Sequence, residues 1–348
     1  MLGNNVLVEI KDLRTYFHLP EGTVRAVDGV NLTIRRGHTL GVVGESGCGK
    51  SVTALSLLRL VPSPGRIEGG EILYYRTVEE AGTSSALTDV IDLAKLEPNG
   101  REMRSIRGNQ ISMVFQEPMS ALIPVRTVGS QITEAITLHQ KVSEAEAREI
   151  AADMLARVRL PKPRQALDDY PFQLSGGMRQ RAVIAMALCC RPKLLIADEP
   201  TTALDVTTEA QILDLMRELQ KEFGMAIMYI THNLGVIAEM AETVAVMYLG
   251  KVVELTDVKT LFMSPLHPYT RALLRSIPQL TDAVARGGKK PRLQTIEGMV
   301  PDPYSVLPGC TFHPRCPERI ADLCDRLEPG VTEVEPGHSV KCHLYRSP

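Results

Sequence analysis

The stretch Gly44-Glu45-Ser46-Gly47-Cys48-Gly49-Lys50-Ser51 constrains this chain more than any other. It satisfies G-x-x-x-x-G-K-[ST] at every fixed position, and its flanks fit the same motif. Thr39 to Val43 is a short apolar run of strand character, and Val52 to Leu60 reads as an apolar helix. A strand, a glycine turn and a helix N-terminus make an anion cradle, because unpaired backbone N–H groups converge there. The glycines let those amides curl inward, Lys50 can reach outer phosphates, and the Ser51 hydroxyl can hold Mg²⁺. A Gly-rich turn that only imitates this pattern would not bring both flanks with it. The expectation is a nucleoside triphosphate site spanning Gly44 to Ser51 and the adjoining Val52.

At 348 residues the chain is long enough for two or three domains. Apolar residues at 44% and charged residues at 23% are ordinary for a globular protein, which sets aside a disordered chain. A net charge of −2 supplies no basic field for nucleic acid. The opening Met1-Leu2-Gly3-Asn4-Asn5 shows no basic-then-apolar signal, and no apolar run is long enough to span a bilayer. The expectation is a cytoplasmic chain whose membrane role, if it has one, comes through a partner. Of seven cysteines, Cys310, Cys316, Cys324 and Cys342 lie in the tail. In a reducing compartment such a group suggests metal or cofactor binding more than disulfides.

Val6 to Ile10 alternates like a strand and leads to Tyr16-Phe17; Val27 to Ile34 is a second β-rich run. Tyr16 precedes a nucleotide site and could stack on a base, but its residue type alone favours a packed strand aromatic. Residues 76–109 are polar and interrupted, and read as an elaborated surface loop. Gln110 to Phe115 alternates as a strand, and Gln116 at its end can reach a metal or water. Val128 to Leu138 and Ser143 to Leu160 carry helical periodicity, the second opened by a capping box at Ser143 and Glu146. Leu174-Ser175-Gly176-Gly177-Met178 then starts another helix, with Ser175 as N-cap and open first-turn amides. On its own that is a plain capped helix. Leu194 to Ala197 is a buried-type strand ending in Asp198-Glu199, and consecutive strand residues face opposite sides. One acid can face a Mg²⁺ shell while the other orients or deprotonates a water. Ala226 to Ile230 ends at Thr231-His232, the end of a strand that faces the ligand crevice in open α/β sheets. Thr243 to Leu249 and Lys251 to Leu255 read as a hairpin around Gly250.

Taken in this order, residues 1–260 resemble the ATPase subunit of an ABC transporter. The matching elements are the P-loop, the Q-loop Gln116, the signature Leu174–Met178, the acidic strand, the D-loop Ala203-Leu204-Asp205 and the switch His232. Methionine follows LSGG where glutamine is common, and Thr202 stands where serine is usual; neither removes a group the chemistry needs. The resemblance implies an α/β fold: a RecA-like core with an antiparallel β subdomain and a helical insert over about 117–185. It also implies that Tyr16 stacks on the base, that Ser51 and Gln116 coordinate Mg²⁺, and that Glu199 is the general base, with Lys50 and His232 on the phosphates. Two such subunits stack head to tail in this family. One P-loop, with Asp198 nearby, then meets Ser175, Gly176, Gly177 and Asp205 of a second chain.

Residues 261–348 carry Ser264-Pro265-Leu266-His267-Pro268-Tyr269 and Gly309-Cys310-Thr311-Phe312-His313-Pro314-Arg315-Cys316-Pro317. Both resemble the C-terminal extension of oligopeptide, dipeptide and nickel importer ATPases. The implied function is ATP hydrolysis that powers peptide import. The implied partners are two permeases, a binding protein and a second, non-identical ATPase, at the cytoplasmic face of the membrane. Nickel or oligosaccharide cargo is the alternative; a non-transport ABC ATPase is more remote, since one cassette and no long coiled coil are present. For the cysteines, spaced C-x5-C-x7-C-x17-C, the residues leave three readings open. They are an iron–sulfur cluster, zinc with His313 or His343, and unliganded thiols. The resemblance implies a [4Fe-4S] cluster on Cys310, Cys316, Cys324 and Cys342.

Overall fold

The computed structural model describes residues 5–79, 86–116, 121–202, 204–276 and 296–345. Strands β1 (Val6–Leu19) and β2 (Gly22–Arg35) form a long antiparallel hairpin. The chain then enters β3 (Thr39–Val43) and crosses the glycine turn into helix α1 (Lys50–Leu57). It returns as β4 (Gly65–Glu79) and β5 (Ala86–Asp92), completing a four-stranded sheet in the order β2-β1-β4-β5. Helix α2 (Arg101–Ile106) and strand β6 (Ile111–Val114) lead to the helical region.

That region holds α3 (Val128–His139), α4 (Glu144–Arg157), α5 (Pro163–Ala166) and α6 (Gly176–Leu188). The capping box at Ser143 and Glu146 is formed, satisfying first-turn amides that would otherwise be orphans. Next come β7 (Leu194–Asp198), α7 (Val206–Phe223), β8 (Ala226–Thr231), α8 (Leu234–Met240), β9 (Thr243–Tyr248) and β10 (Lys251–Asp257). The tail contributes α9 (Val258–Met263), α10 (Pro268–Arg275) and the hairpin β11 (Thr332–Glu335) and β12 (His338–Val340).

The second sheet has the order β11-β12-β10-β9-β3-β8-β7-β6. Strands β9, β3, β8, β7 and β6 run parallel, and their buried residues alternate between two cores. Ile227 and Tyr229 face the core shared with the helical region. Met228 and Ile230 face the core shared with α1 and the four-stranded sheet. Burial on both faces is why these strands read as unbroken apolar runs.

Residues 76–109 correct one expectation. They are not a loop: β5 pairs with β4 from Leu73↔Asp92 to Glu79↔Ala86, and α2 follows. Arg76 and Asp89 are cross-strand partners joined by an ion pair, so the polar residues that looked like loop are sheet contacts. Residues 80–85 lie outside the described residues.

The tail docks as further sheet. Strand β12 pairs with β10 at Glu254↔Val340 and Leu255↔Ser339. The fully buried carboxylate of Glu254 accepts from the Leu266 and His267 N–H groups, each at 2.8 Å, and lies 2.9 Å from His338 Nε2. Removing it strands three groups, two of them buried. Glu254→Ala is therefore expected to cost about 3 kcal/mol of stability, read as a lowered urea midpoint.

Candidate nucleotide site

The parallel strands end on one side, and the glycine turn, Gln116, Asp198, Glu199 and His232 lie at those ends. The glycine turn follows β3, whose last residue Val43 pairs with Thr231 of β8 and Val246 of β9. Close approach explains two of its glycines. A Cβ on Gly44 would stand 2.2 Å from the Met247 carbonyl oxygen, and one on Gly49 2.1 Å from that of Ala26. Both residues also have positive φ, 154° and 101°, a region costly for other residues. No side chain caps α1, so its first-turn amides stay available to an anion. Lys50, only 6% exposed, donates from Nζ to the Gly44 and Glu45 carbonyls at 2.8 and 3.1 Å. Ser46 and Gly47 are exposed at the tip, Val52 is half-buried on α1, and the Cys48 thiol is buried beneath the loop.

Asp198 ends β7 and Glu199 leaves it with φ 47°, in the left-handed region, so the two carboxylates diverge. Asp198 is 4% exposed, and its Oδ1 is buried without a partner among the described residues. Burial raises its carboxyl above the ordinary value, against the lowering effect of a hydrogen bond from Ser51. An orphaned carboxylate oxygen beside a serine hydroxyl fits a divalent cation.

Glu199 is held from three sides. Gln116 Nε2 and Thr202 Oγ1 each donate to its Oε2 at 3.0 Å, and His232 Nδ1 lies 2.9 Å from its Oε1. Burial works to raise this carboxyl, but the His232 and Thr202 bonds and the Lys50 charge outweigh it, leaving it below the ordinary value. An ionised, oriented carboxylate at a strand end suits a general base.

Other expected residues have partners outside this group. Ser175 caps α6 by accepting from Met178 N–H at 3.3 Å, and Ser175 and Gly176 are exposed. Gly177 sits against Thr208, where a Cβ would come 2.9 Å from its methyl. Asp205 caps α7, accepting from Thr208 N–H at 3.0 Å and from its hydroxyl at 2.7 Å. Its D-loop neighbour Ala203 lies outside the described residues, as do 117–120. Tyr16 is half-buried on β1; its hydroxyl donates to Asp28 at 2.6 Å and Arg25 lies 5.7 Å from its ring centre. Burial first, then Asp28, pushes that phenol up to about 12, so it stays protonated.

The iron–sulfur expectation is overturned. Among the described residues no three His, Cys, Asp or Glu side chains are placed to hold a metal ion. The four tail thiols are free and buried or half-buried. Burial pushes Cys310 and Cys316 up to about 11, which disfavours the thiolate a cluster needs. Cys324 Sγ accepts from Ile320 N–H at 3.3 Å. The zinc alternative has no support either: no such group of three includes His313 or His343 among the described residues. These cysteines behave as small buried residues.

Three contacts had no signal in the chain. Thr202, which stands where serine is usual, donates to Glu199 and orients it. Arg315 and Tyr269 both bond Glu45 across more than two hundred residues of sequence.

A glycine cradle, an orphaned acid and a held glutamate at the ends of parallel strands define a P-loop nucleoside triphosphatase. Residues 27–202 match the family described as ABC transporter, and residues 253–324 the one described as oligopeptide/dipeptide transporter, C-terminal region. The chain belongs to the ABC transporter ATPases, in their oligopeptide/dipeptide branch. It is 49% identical to a probable peptide ABC transporter ATP-binding protein of Sinorhizobium fredii, over 97% of this chain and 95% of that one. With the oligopeptide transport ATP-binding protein AppD of Bacillus subtilis it shares 46% identity, covering 98% and 97%. Among solved structures it resembles the dimeric, post-hydrolysis ATP-binding cassette MJ0796 bound to ADP and phosphate. The TM-score is 0.60 at 27% identity, covering 72% of this chain and 99% of that one. Among the described residues no helix is long and apolar enough to cross a membrane.

Proposed function

We propose that this chain hydrolyses ATP to power the import of short peptides, at the cytoplasmic face of a membrane. Its partners are two permeases, a substrate-binding protein and a second, non-identical ATPase chain. The observation that carries the reading is the union, in one chain, of the gathered site and a peptide-importer tail. Relatives named for peptide transport match it over nearly their full length.

Lys50 exchanges its two carbonyl partners for phosphate oxygens and brings positive charge to them. Ser51, Gln116 and Asp198 would hold Mg²⁺, which supplies charge neutralisation on the phosphates when bound. Glu199 takes the proton of the attacking water, whose oxygen bonds to the γ-phosphorus as the β–γ bridge breaks. His232, oriented by its bond to Glu199 and largely exposed, contacts the γ-phosphate. Tyr16 offers a face to the base. Ser175, Gly176 and Gly177 form a second phosphate-binding helix start, which serves the ATP held by the other ATPase chain, with Asp205 at the same interface. The dimeric state of the similar cassette supports that reading.

Gln116 ties the site to the membrane, because it bonds the base and leads directly into the helical region. Ile123 and Val125 stand exposed just beyond, an apolar face suited to a permease loop. The cargo is tested in the reconstituted transporter, with the binding protein loaded in turn with peptides, nickel or short sugars. ATPase stimulation by peptides is expected; stimulation by sugars or nickel but not by peptides would refute the cargo.

A further inference from the structure

The C-terminal extension reaches back to the phosphate loop and takes hold of one residue in two ways. Arg315 Nη1 donates to Glu45 Oε2 at 2.7 Å, and Nη2 donates to Glu45 Oε1 at 3.1 Å. Two parallel bonds from a planar fork fix orientation as well as distance. The Arg315 side chain is only 4% exposed, and its Nε donates to the Glu297 carbonyl at 3.2 Å, so the fork has little freedom. Separately, the backbone N–H of Glu45 donates to the Tyr269 hydroxyl at 2.8 Å.

Both anchors are themselves rigid. Tyr269 lies in the first turn of α10, whose start is capped by His267 Nδ1 accepting from Tyr269 N–H at 3.0 Å. Its ring packs 4.7 Å from Tyr248 of β9 and 5.4 Å from Phe312, and Tyr248 lies 5.2 Å from Phe312. Arg315 sits three residues after Phe312, with its guanidinium 5.9 Å from the Tyr248 ring. Core strand and tail therefore form one bracket.

What the bracket holds is the cradle itself. The Glu45 carbonyl accepts from Lys50 Nζ at 3.1 Å and from Cys48 N–H at 3.3 Å. The N–H and carboxylate of Glu45 thus face the tail, while its carbonyl faces the lysine that meets phosphate. The motif leaves position 45 open to any residue, so nothing in cradle chemistry requires an acid there. A partner does.

We propose that Arg315 and Tyr269 are positioning residues for ATP: through Glu45 they hold the phosphate loop ready for nucleotide. The extension is then a working part of the ATP site. This rests on the reading of Gly44–Ser51 as the phosphate cradle. A preformed cradle helps ground state and transition state alike, so its loss raises KM more than it lowers kcat.

The test is steady-state ATPase kinetics on the assembled transporter. Tyr269→Phe keeps the ring and deletes only the acceptor; Arg315→Met deletes the fork; Glu45→Gln deletes its charge. Each is expected to raise KM for ATP about fivefold with kcat within twofold, the scale of one ordinary hydrogen bond, because the loss reaches ATP only through the loop. The Glu45→Gln/Arg315→Met double variant should be no worse than the poorer single variant, and Arg315→Lys should recover part of the loss. A KM within twofold of wild type in Tyr269→Phe and Glu45→Gln overturns the proposal, as do effects that multiply in the double variant. Lost thermal stability with unchanged KM makes the bracket a mere joint and overturns it too. Arg315→Met carries the greatest folding risk; the other two variants leave the aromatic packing intact. Lys50→Ala, run alongside, separates the two ideas: if it keeps wild-type affinity, the cradle reading itself falls.

Discussion

Glu199→Gln is expected to lower turnover at least 100-fold while ATP still binds with near wild-type affinity. The substitution keeps size and shape, so the left-handed backbone at 199 has nothing new to accommodate. The neighbours also tolerate it. Gln116 or His232 can still donate to the amide oxygen, and the Thr202 hydroxyl, now a donor to Glu199, can turn to accept. Only the base is lost. ATP bound between two chains is then not consumed, so the closed assembly should accumulate with ATP. Single-turnover hydrolysis beside nucleotide-binding titration checks this. Hydrolysis at more than a tenth of the wild-type rate would remove Glu199 from the role of base.

Lys50→Ala should give the opposite signature, weakening ATP binding about 30-fold or more, the scale of a lost charged contact of about 2 kcal/mol. Lys50 is buried, and among the described residues its Nζ bonds loop groups, the Gly44 and Glu45 carbonyls and the Cys48 sulfur. Its loss therefore loosens the loop locally and leaves the two cores untouched. Fluorescent-nucleotide titration reads the loss, and an unchanged thermal midpoint without nucleotide separates it from misfolding. Wild-type affinity would contradict the phosphate role.

The two variants also divide the site by its physical parts. Binding depends on a turn and a helix start that adjoin in the chain. The turnover proposed for this site draws on groups from Gln116 and the ends of β7 and β8 that only the sheet assembles, because parallel neighbours place their ends side by side.

The same division explains what could be read beforehand. The P-loop was legible because its glycines, lysine and serine act through a backbone turn only eight residues long. The acidic strand was legible because apolar residues buried on both faces leave a continuous run, and the capping box because its two partners are three residues apart. The β4–β5 hairpin was not, since its polar residues find their partners only in register across the sheet. The cysteines misled because spacing says nothing about where thiols point. In the fold they pack as free thiols, and no three potential ligands among the described residues come together around them.

The chain's own residue order thus settled the chemistry whose parts lie within one turn, strand or helix start: the cradle, the acids and the caps. Tertiary structure alone decided which of those parts meet. Three groups converge on Glu199, while Ser175 caps its own helix. Arg315 closes on Glu45 from 270 residues away. Local motifs are set by backbone geometry over a few residues, whereas such meetings depend on strand order and on how the tail extends the sheet.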